Sequence, residues 1–382
     1  MTAKPRLLIL SFSAIAADAR VLKQVQLFAD EYEVTTCGYG DRPDERVAHI
    51  EIPIDLTIDD RDRNDLLLRR YDHMYWNLPG ISFVKTTLEA QPRFDVILAN
   101  DIDTVGVALS LSPRGGVHAD IHEYAPRQND ELPVWRAFVS PYVRWMCRRF
   151  LARAHSMTTV GAGVAAEYKR VFRLDAGVVT NAAPYAQLAP TPTGSPIRLV
   201  HSGAALRNRR LEVIVEAVAT AESDVTLDLF LMGNDPAYIA ELTELASGAA
   251  GRVVIREPVP YSRLIAMLND YDLGIHVIPP TNFNNRWSLP NKFFDYVQAR
   301  LGLVIGPSAE MRDVLLAHDL GIVADGFGVA DVRRSIEQLS TEDVTRWKAN
   351  AGAAARELSA ESQLAGWASA IAALAARVES AA

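Results

Sequence analysis

The feature that most constrains this chain is an alternation that runs along it. Short apolar runs, most of them stopped by Gly, Asn, Asp or Pro, alternate with longer stretches whose apolar residues recur at helical spacing. Consecutive parallel strands need a crossover of a dozen or more residues, usually a helix, so this pattern predicts parallel α/β units. The first unit of the pattern is a strand at Leu7 to Phe12. A helix with Val21, Leu22, Val25 and Phe28 on one face follows, and then the strand "YEVTTCGYG". The opening "MTAKPRLLILSFSAIAADA" also imitates a secretory leader, with its basic start, apolar run and small residues. The immediate succession of strand, loop, helix and strand favours a buried first strand instead. No apolar run approaches the ~18 residues of a membrane span.

The alternation continues through "RFDVILAND", "GVHADIHEY", "SMTTVGAGVAAEYKRVF" and "AGVVTNAAPY". It is then interrupted by "APTPTGSP" (189–196), a Pro/Thr/Gly/Ser cluster that reads as a domain boundary. Beyond it the logic restarts with "IRLVHSG", "TLDLFLMGND", "RVVIREPVP", "DLGIHVIPP", "LVI" (303–305) and "GIVAD", separated by helical stretches. The expected organisation is an N-terminal α/β domain at 1–188 and a second at 197–358, two doubly wound domains facing each other across a cleft. A helical tail at 359–382 is expected to pack back on the first. A length of 382 residues suits two cores of this size. The formal net charge of −8 argues against a surface that neutralises nucleic-acid phosphate. Cys37 and Cys147 lie far apart without ligand spacing, consistent with a reducing cytosol.

In parallel sheets ligands gather at the carboxyl ends of strands, so the strand-end residues carry the functional reading. "GAGVAA" (161–166) fits a dinucleotide fingerprint, but the next strand ends in Asn181 where an acidic ribose ligand would stand, so a glycine turn is favoured. "HSGAALRNRRLE" places Gly203 at a strand end, followed by Arg207, Arg209 and Arg210. A glycine admits close backbone approach and a guanidinium can hold two phosphate oxygens. Solvated loop arginines are the equal alternative. "LMGND" adds Gly233 and Asn234 at another strand end.

"SLPNKFFDYVQARLGLVIGP" (288–307) holds more. Pro290 suits the first turn of a helix, and the free amides from Asn291 and Lys292 onward form an anion site with the Lys292 charge. Asp295, one turn on, can accept from two adjacent hydroxyls such as a ribose diol. Phe293, Phe294, Val297 and Leu301 face the core. A phosphate site and a diol acceptor one turn apart describe a nucleoside diphosphate; a capped surface helix with a Lys–Asp pair is the alternative. In the first domain, "NDIDT" and "DIHEY" gather Asn100, Asp101, Asp103, Asp120, His122 and Glu123 at strand ends. These would hold a polyhydroxyl acceptor, with His122 orienting or polarising it; a His satisfied by a neighbouring carboxylate is the alternative. Metal-ligand spacings are absent, so no metal is expected. The aromatic and Arg-rich helix at 132–155, broken by Pro141, reads as a packed helix, with contact to an anionic membrane surface as the alternative.

These segments, in this order, resemble those of retaining GT-B glycosyltransferases of the family 4 type (glycosyltransferase group 1). "SLPNKFFDYVQARLGLVIGP" is similar to their "LPNKhFEYhxAxGxPVI" segment, and "HSGAALRNRRLE", "LMGND", "YDLGIHVIPP", "NDIDTV" and "DIHEY" to others. The resemblance implies two Rossmann-like domains and a donor nucleotide sugar held mainly by the second, as co-substrate rather than cofactor and without a metal. Its UDP-, GDP- or dTDP-sugar would be transferred with retention to a hydroxyl acceptor, a glycan, a lipid-linked intermediate or a small molecule. It further implies that Arg209 contacts the donor diphosphate and Gly203 gives it close approach. Leu289, Pro290, Asn291 and Lys292 would form the phosphate-binding turn, and Asp295 would bind the ribose. His122 would correspond to an acceptor-side histidine, so that Arg209, Lys292 and His122 form the expected catalytic set. Two positions depart from the family pattern: Asp295 replaces the second glutamate of its E-x7-E motif, and Trp287 replaces the first. A GT-B epimerase, an NAD-linked oxidoreductase and a non-catalytic GT-B scaffold are the rival readings. A cytoplasmic protein is expected, peripheral to the membrane if the helix at 132–155 touches it.

Overall fold

The computed structural model describes residues 4–380, so 1–3 and 381–382, at the outer edges of the expected first domain and tail, lie outside the described residues. By contacts the chain divides into two units. One comprises Met1–Thr180, Asn282–Asn284 and Leu364–Ala382; the other comprises Asn181–Thr281 and Asn285–Gln363. The division thus falls ahead of the Pro/Thr/Gly/Ser cluster, and all but the first turn of the C-terminal helix counts with the first unit.

The first unit contains β1 (Arg6–Ala14), β2 (Glu33–Tyr39), β3 (Ala48–Ile52), β4 (Val96–Asn100), β5 (Gly116–Ile121), β6 (Ser156–Thr159) and β7 (Gly177–Val178). All pair in parallel in the order β3-β2-β1-β4-β5-β6-β7. Leu7 to Leu10 and Val96 to Ala99 are fully buried, as expected of strands covered on both faces. The helix Ala19–Phe28 starts where the Asp18 side chain accepts from the amides of Arg20 and Val21 at 3.0 and 3.2 Å. Its buried face carries Val21, Val25 and Phe28, and also the polar Arg20 and Gln24. Helix Ala360–Glu379 sends Trp367, Ile371 and Leu374 into the core around β1 and that helix.

Residues 41–92 carry β3 and the helices Tyr71–Asn77 and Pro79–Glu89, which the apolar patterning did not announce. The stretch at 132–155 also differs from expectation. A π-helical turn, Trp135–Val139, precedes the helix Ser140–Arg149, whose first turn Pro141 occupies rather than breaks. Tyr142 and Met146 are fully buried there, and Arg144 and Arg148 lie over the Phe172 ring, so the helix packs through its aromatic face. Among the described residues, no helix is long and apolar enough to cross a membrane.

The second unit contains β8 (Ile197–Ala204), β9 (Val225–Met232), β10 (Val253–Arg256), β11 (Leu273–His276), β12 (Gly302–Ile305) and β13 (Gly321–Val323). Its parallel order, β10-β9-β8-β11-β12-β13, repeats the 3-2-1-4-5-6 order of a Rossmann sheet. The strand order reverses between β8 and β11, and the crevice outside their carboxyl ends is where such a sheet binds ligands.

Candidate functional site

Two features bring a helix N-terminus to that crevice. The helix Asn291–Gln298 follows Pro290, which stands just outside the helix rather than in its first turn. From Phe293 to Gln298 every residue is buried, so this is a core helix rather than a surface one, and only its N-terminal turn opens outward. Its Tyr296 ring lies on Gly274 of β11, where any Cβ would collide with the ring, and this close approach sets the helix beside the strand. No side chain caps the N-terminus, and the amides of Asn291 and Lys292 precede the first hydrogen bond, from Phe293 N to Pro290 O at 3.0 Å.

Gly203, near the end of β8, holds φ +146°, and a Cβ there would strike the Lys292 side chain. The Lys292 side chain crosses the β8 backbone at this glycine, and Arg209 Nη1 would lie 3.5 Å from such a Cβ. The two cations therefore converge on one point. They line a cavity of about 160 Å³ with Leu206, Asn208, His276, Ile278, Asn285, Ser288, Pro290 and Met311. That is smaller than the ~300–1,000 Å³ of a typical small-molecule site, so it suits the charged part of a larger ligand. Neither the Lys292 ammonium nor the Arg209 guanidinium has a hydrogen-bond or ion-pair partner among the described residues. Burial and then Arg209 push Lys292 down to about 8, with Asp295 pulling weakly the other way. Burial also lowers Arg209.

The three loop arginines separate by partner. Arg207 is bound to Asp235 and Glu241 and stacks over Tyr238, and Arg210 faces Glu212, so both are engaged on the surface. Only Arg209 turns into the cavity. Gly233 lines a different hollow, with Ile239, Thr243 and Val253, and the exposed Asn234 lines neither. Leu289 is buried beneath the turn and Asn291 is exposed at its tip. Asp295 is only 3% exposed and accepts from the Tyr261 hydroxyl at 3.2 Å. Trp287 does not line the cavity; Asn285 and Ser288 stand there instead.

Two histidines that the patterning did not single out belong to this site. His201 and His276, in the otherwise apolar ends of β8 and β11, stack with ring centroids 6.1 Å apart and planes 12° apart. Burial and then the Lys292 charge depress both, His201 to about 3. A histidine near the carboxyl end of each of two buried strands was the available signal.

In the first unit, Asn100 and Asp120 are fully buried at the ends of β4 and β5. Asp120 takes a bidentate pair from Arg20, Nε at 2.8 Å and Nη2 at 2.7 Å, and also accepts from Gln24 and Thr158. Gln24 joins Asn100 to Asp120. Against its burial, Arg20 and His122 hold the Asp120 carboxyl well below the usual range. His122 Nδ1 lies 3.2 Å from Asp101, and its Nε2 lies 3.3 Å from Asn100 Oδ1 and 3.5 Å from Asp120. Burial pushes this imidazole down, yet the Asp101 and Asp120 carboxylates outweigh it and raise it. Asp101 adopts φ +63°, ψ 161°, a backbone region that a side chain disfavours, while its carboxylate holds His122. Asp103 is displaced from this cluster: burial pushes its carboxyl up to about 6, and its Oδ1 has no partner. Glu123 accepts from Asn284 Nδ2 at 2.6 Å, and burial followed by the Asp101 charge pushes it up to about 7.

No protein-family model matches the sequence, and neither does any curated protein sequence. Solved structures do match. The chain resembles sucrose-phosphate synthase of Thermosynechococcus elongatus with a TM-score of 0.72 and 13% identity, covering 98% of this chain and 100% of that one. It resembles HepE of Anabaena, in complex with UDP and glucose, with a TM-score of 0.68 and 13% identity over 96% and 99%. It also resembles the α,α-trehalose 6-phosphate synthase of Burkholderia multivorans, with a TM-score of 0.67 and 12% identity over 99% and 100%. With its two parallel sheets of seven and six strands, the chain has the GT-B fold of these glycosyltransferases.

Proposed function

We propose that the protein transfers a glycosyl group from a nucleoside-diphosphate sugar, UDP-linked in the first instance, to a hydroxyl acceptor with retention of configuration. The observation that carries this reading is the pair of unpartnered, mostly buried cations, Arg209 and Lys292, meeting across Gly203 in the crevice of the second sheet. A buried charge without a partner costs free energy, and a bound diphosphate would remove that cost. HepE, of the same fold, is in complex with UDP and glucose, which favours a UDP-sugar.

In the proposed reaction, Arg209, Lys292 and the amides of Asn291 and Lys292 hold the diphosphate oxygens. Negative charge grows on those oxygens as the glycosidic bond to phosphate breaks, so donors fixed there stabilise the transition state more than the ground state. Two protein cations supply the charge that a divalent metal supplies in other glycosyl transfers, and the reaction is proposed to need none. Retention follows from attack on the face the diphosphate leaves, with a phosphate oxygen accepting the acceptor's proton. Asp295, extended by the Tyr261 hydroxyl, would receive the ribose diol. His122, whose protonated form Asp101 and Asp120 favour against its burial, would orient the acceptor. Incubation with UDP-, GDP- and dTDP-sugars, with and without hydroxyl acceptors, tests the reading. Transfer to the acceptor is expected, falling ~10²-fold or more in Arg209→Ala. Epimerised donor, or no consumption of any donor, would overturn it.

A further inference from the structure

The diphosphate cavity has a third wall that neither the cations nor the helix amides explain. His276 stands at the carboxyl end of β11, 5% exposed, and lines the cavity with Arg209 and Lys292. Its Nδ1 is sealed from solvent without a hydrogen-bond partner, so Nε2 is the nitrogen through which the ring can meet a ligand. Behind it, His201 donates from Nδ1 to the Ile275 carbonyl at 2.9 Å and stacks its ring against His276. The Ile275 carbonyl fixes His201, and His201 in turn backs the ring of His276.

We infer that His276 is a third phosphate donor of this site: a neutral imidazole whose Nε2–H contacts a diphosphate oxygen of the nucleotide sugar. The inference rests on the donor reading above and assigns a residue to it. A neutral ring has one N–H and one lone pair. With an anion in the cavity, the proton belongs on Nε2, facing the oxygens, and the lone pair on the sealed Nδ1. An imidazolium would instead bury an N–H at Nδ1 with nothing to receive it, at the cost of an unmade hydrogen bond. Burial, and then Lys292, His201 and Arg209, disfavour the charged ring. The neutral state also suits the site's charge. Two cations already face each other in about 160 Å³. A third would add repulsion in the empty site, whereas a neutral donor adds a hydrogen bond to the anion without it. His201 touches no part of this cavity and acts as a positioning residue, holding the His276 plane.

The test compares His276→Leu, which removes the donor, with His276→Gln, whose side-chain N–H reaches about as far as Nε2. Binding of UDP, UMP and uridine is measured by calorimetry, with thermal melting of each variant and steady-state transfer alongside. A hydrogen bond to a charged group predicts that His276→Leu weakens UDP ~10–100-fold and leaves uridine within about twofold. His276→Gln should recover most of the UDP affinity. A role in packing alone would lower the melting temperature and weaken UDP and uridine equally, or leave both unchanged; either result overturns the inference. If the wild-type protein binds none of UDP, GDP or dTDP, the donor reading itself fails, and that outcome is distinct from unaltered UDP binding by His276→Leu.

Discussion

The two sheets share a strand order, and each places polar residues at the point where that order reverses, yet they treat those residues in opposite ways. In the first unit the polar residues at the ends of β4 and β5 are bonded into one network. Arg20 closes on Asp120, Gln24 ties Asp120 to Asn100, Thr158 donates to Asp120, and His122 is held between Asp101 and Asp120. In the second unit the crevice beside β8 and β11 holds two cations with no hydrogen-bond or ion-pair partner among the described residues, with His276 beside them. A closed network stabilises a fold, whereas an open set of like charges stabilises something that arrives later. The same kind of sheet carries a bonded polar network in one unit and, under the proposed function, the donor site in the other.

The largest effect expected from this contrast is on stability, in the first unit. Asp120→Ala leaves the Arg20 guanidinium buried against the Trp367 ring without its carboxylate. Breaking a buried pair in this way costs about 3–5 kcal/mol, which should lower the melting temperature by about 10 °C. UDP binding to the surviving folded protein should be unchanged, because none of these residues lines the cavity of Arg209 and Lys292. A variant that melts normally but loses UDP would break the comparison.

The converse is expected of Lys292→Met. Removing an ammonium that has no ion-pair partner among the described residues should leave the melting temperature unchanged or slightly higher, while UDP affinity and transfer fall ~10²-fold. The pH profile sharpens the point. Lys292 is pushed down to about 8, so its charge is present below that value and lost as pH rises through it. Wild-type affinity for UDP should therefore decline above pH 8, approaching tenfold per pH unit, and the slope should be absent from Lys292→Met. Calorimetric titration between pH 7 and 9.5 reads both.

How much of this was legible follows from the same physics. Buried parallel strands are apolar throughout, so "LLIL", "VILA" and "LVI" announced themselves, and the restart after 197 gave the second sheet. Residues 41–92 were silent because β3 is a five-residue strand, "AHIEI", and the next helices mix polar and apolar residues. The sequence could place Lys292 beside a helix start, since that is local. It could not separate Arg209 from Arg207 and Arg210, because the distinction lies in partners near Asp235 and Glu241 that tertiary folding supplies. Nor could it tell that Asn100 and Asp120, polar residues at strand ends like Gly203, would be sealed by Arg20 and Gln24 from a helix whose apolar face hid them.

The smallest effect concerns a first-unit carboxyl that is bonded and yet shifted upward. Glu123 is bonded to Asn284, yet burial and the Asp101 charge hold its carboxyl up at about 7. An unfolded glutamate titrates near 4.3, so between that value and 7 the folded protein binds more protons than the unfolded chain. The carboxyl's contribution is then fully present below the unfolded pKa and lost as pH rises through 7. Glu123→Gln removes the ionisation and keeps a group able to accept from Asn284. Relative to this variant, the wild-type protein should lose on the order of 1–2 kcal/mol between pH 5 and pH 8, because each pH unit crossed below 7 is worth about 1.4 kcal/mol at most. Chemical denaturation at the two pH values reads the difference. If the wild-type protein instead gained stability against Glu123→Gln on going to pH 8, Glu123 would be an ordinary ionised partner of Asn284. Glu123 would then join the bonded network of the first unit, and the contrast with the unpartnered cations of the second would be sharper.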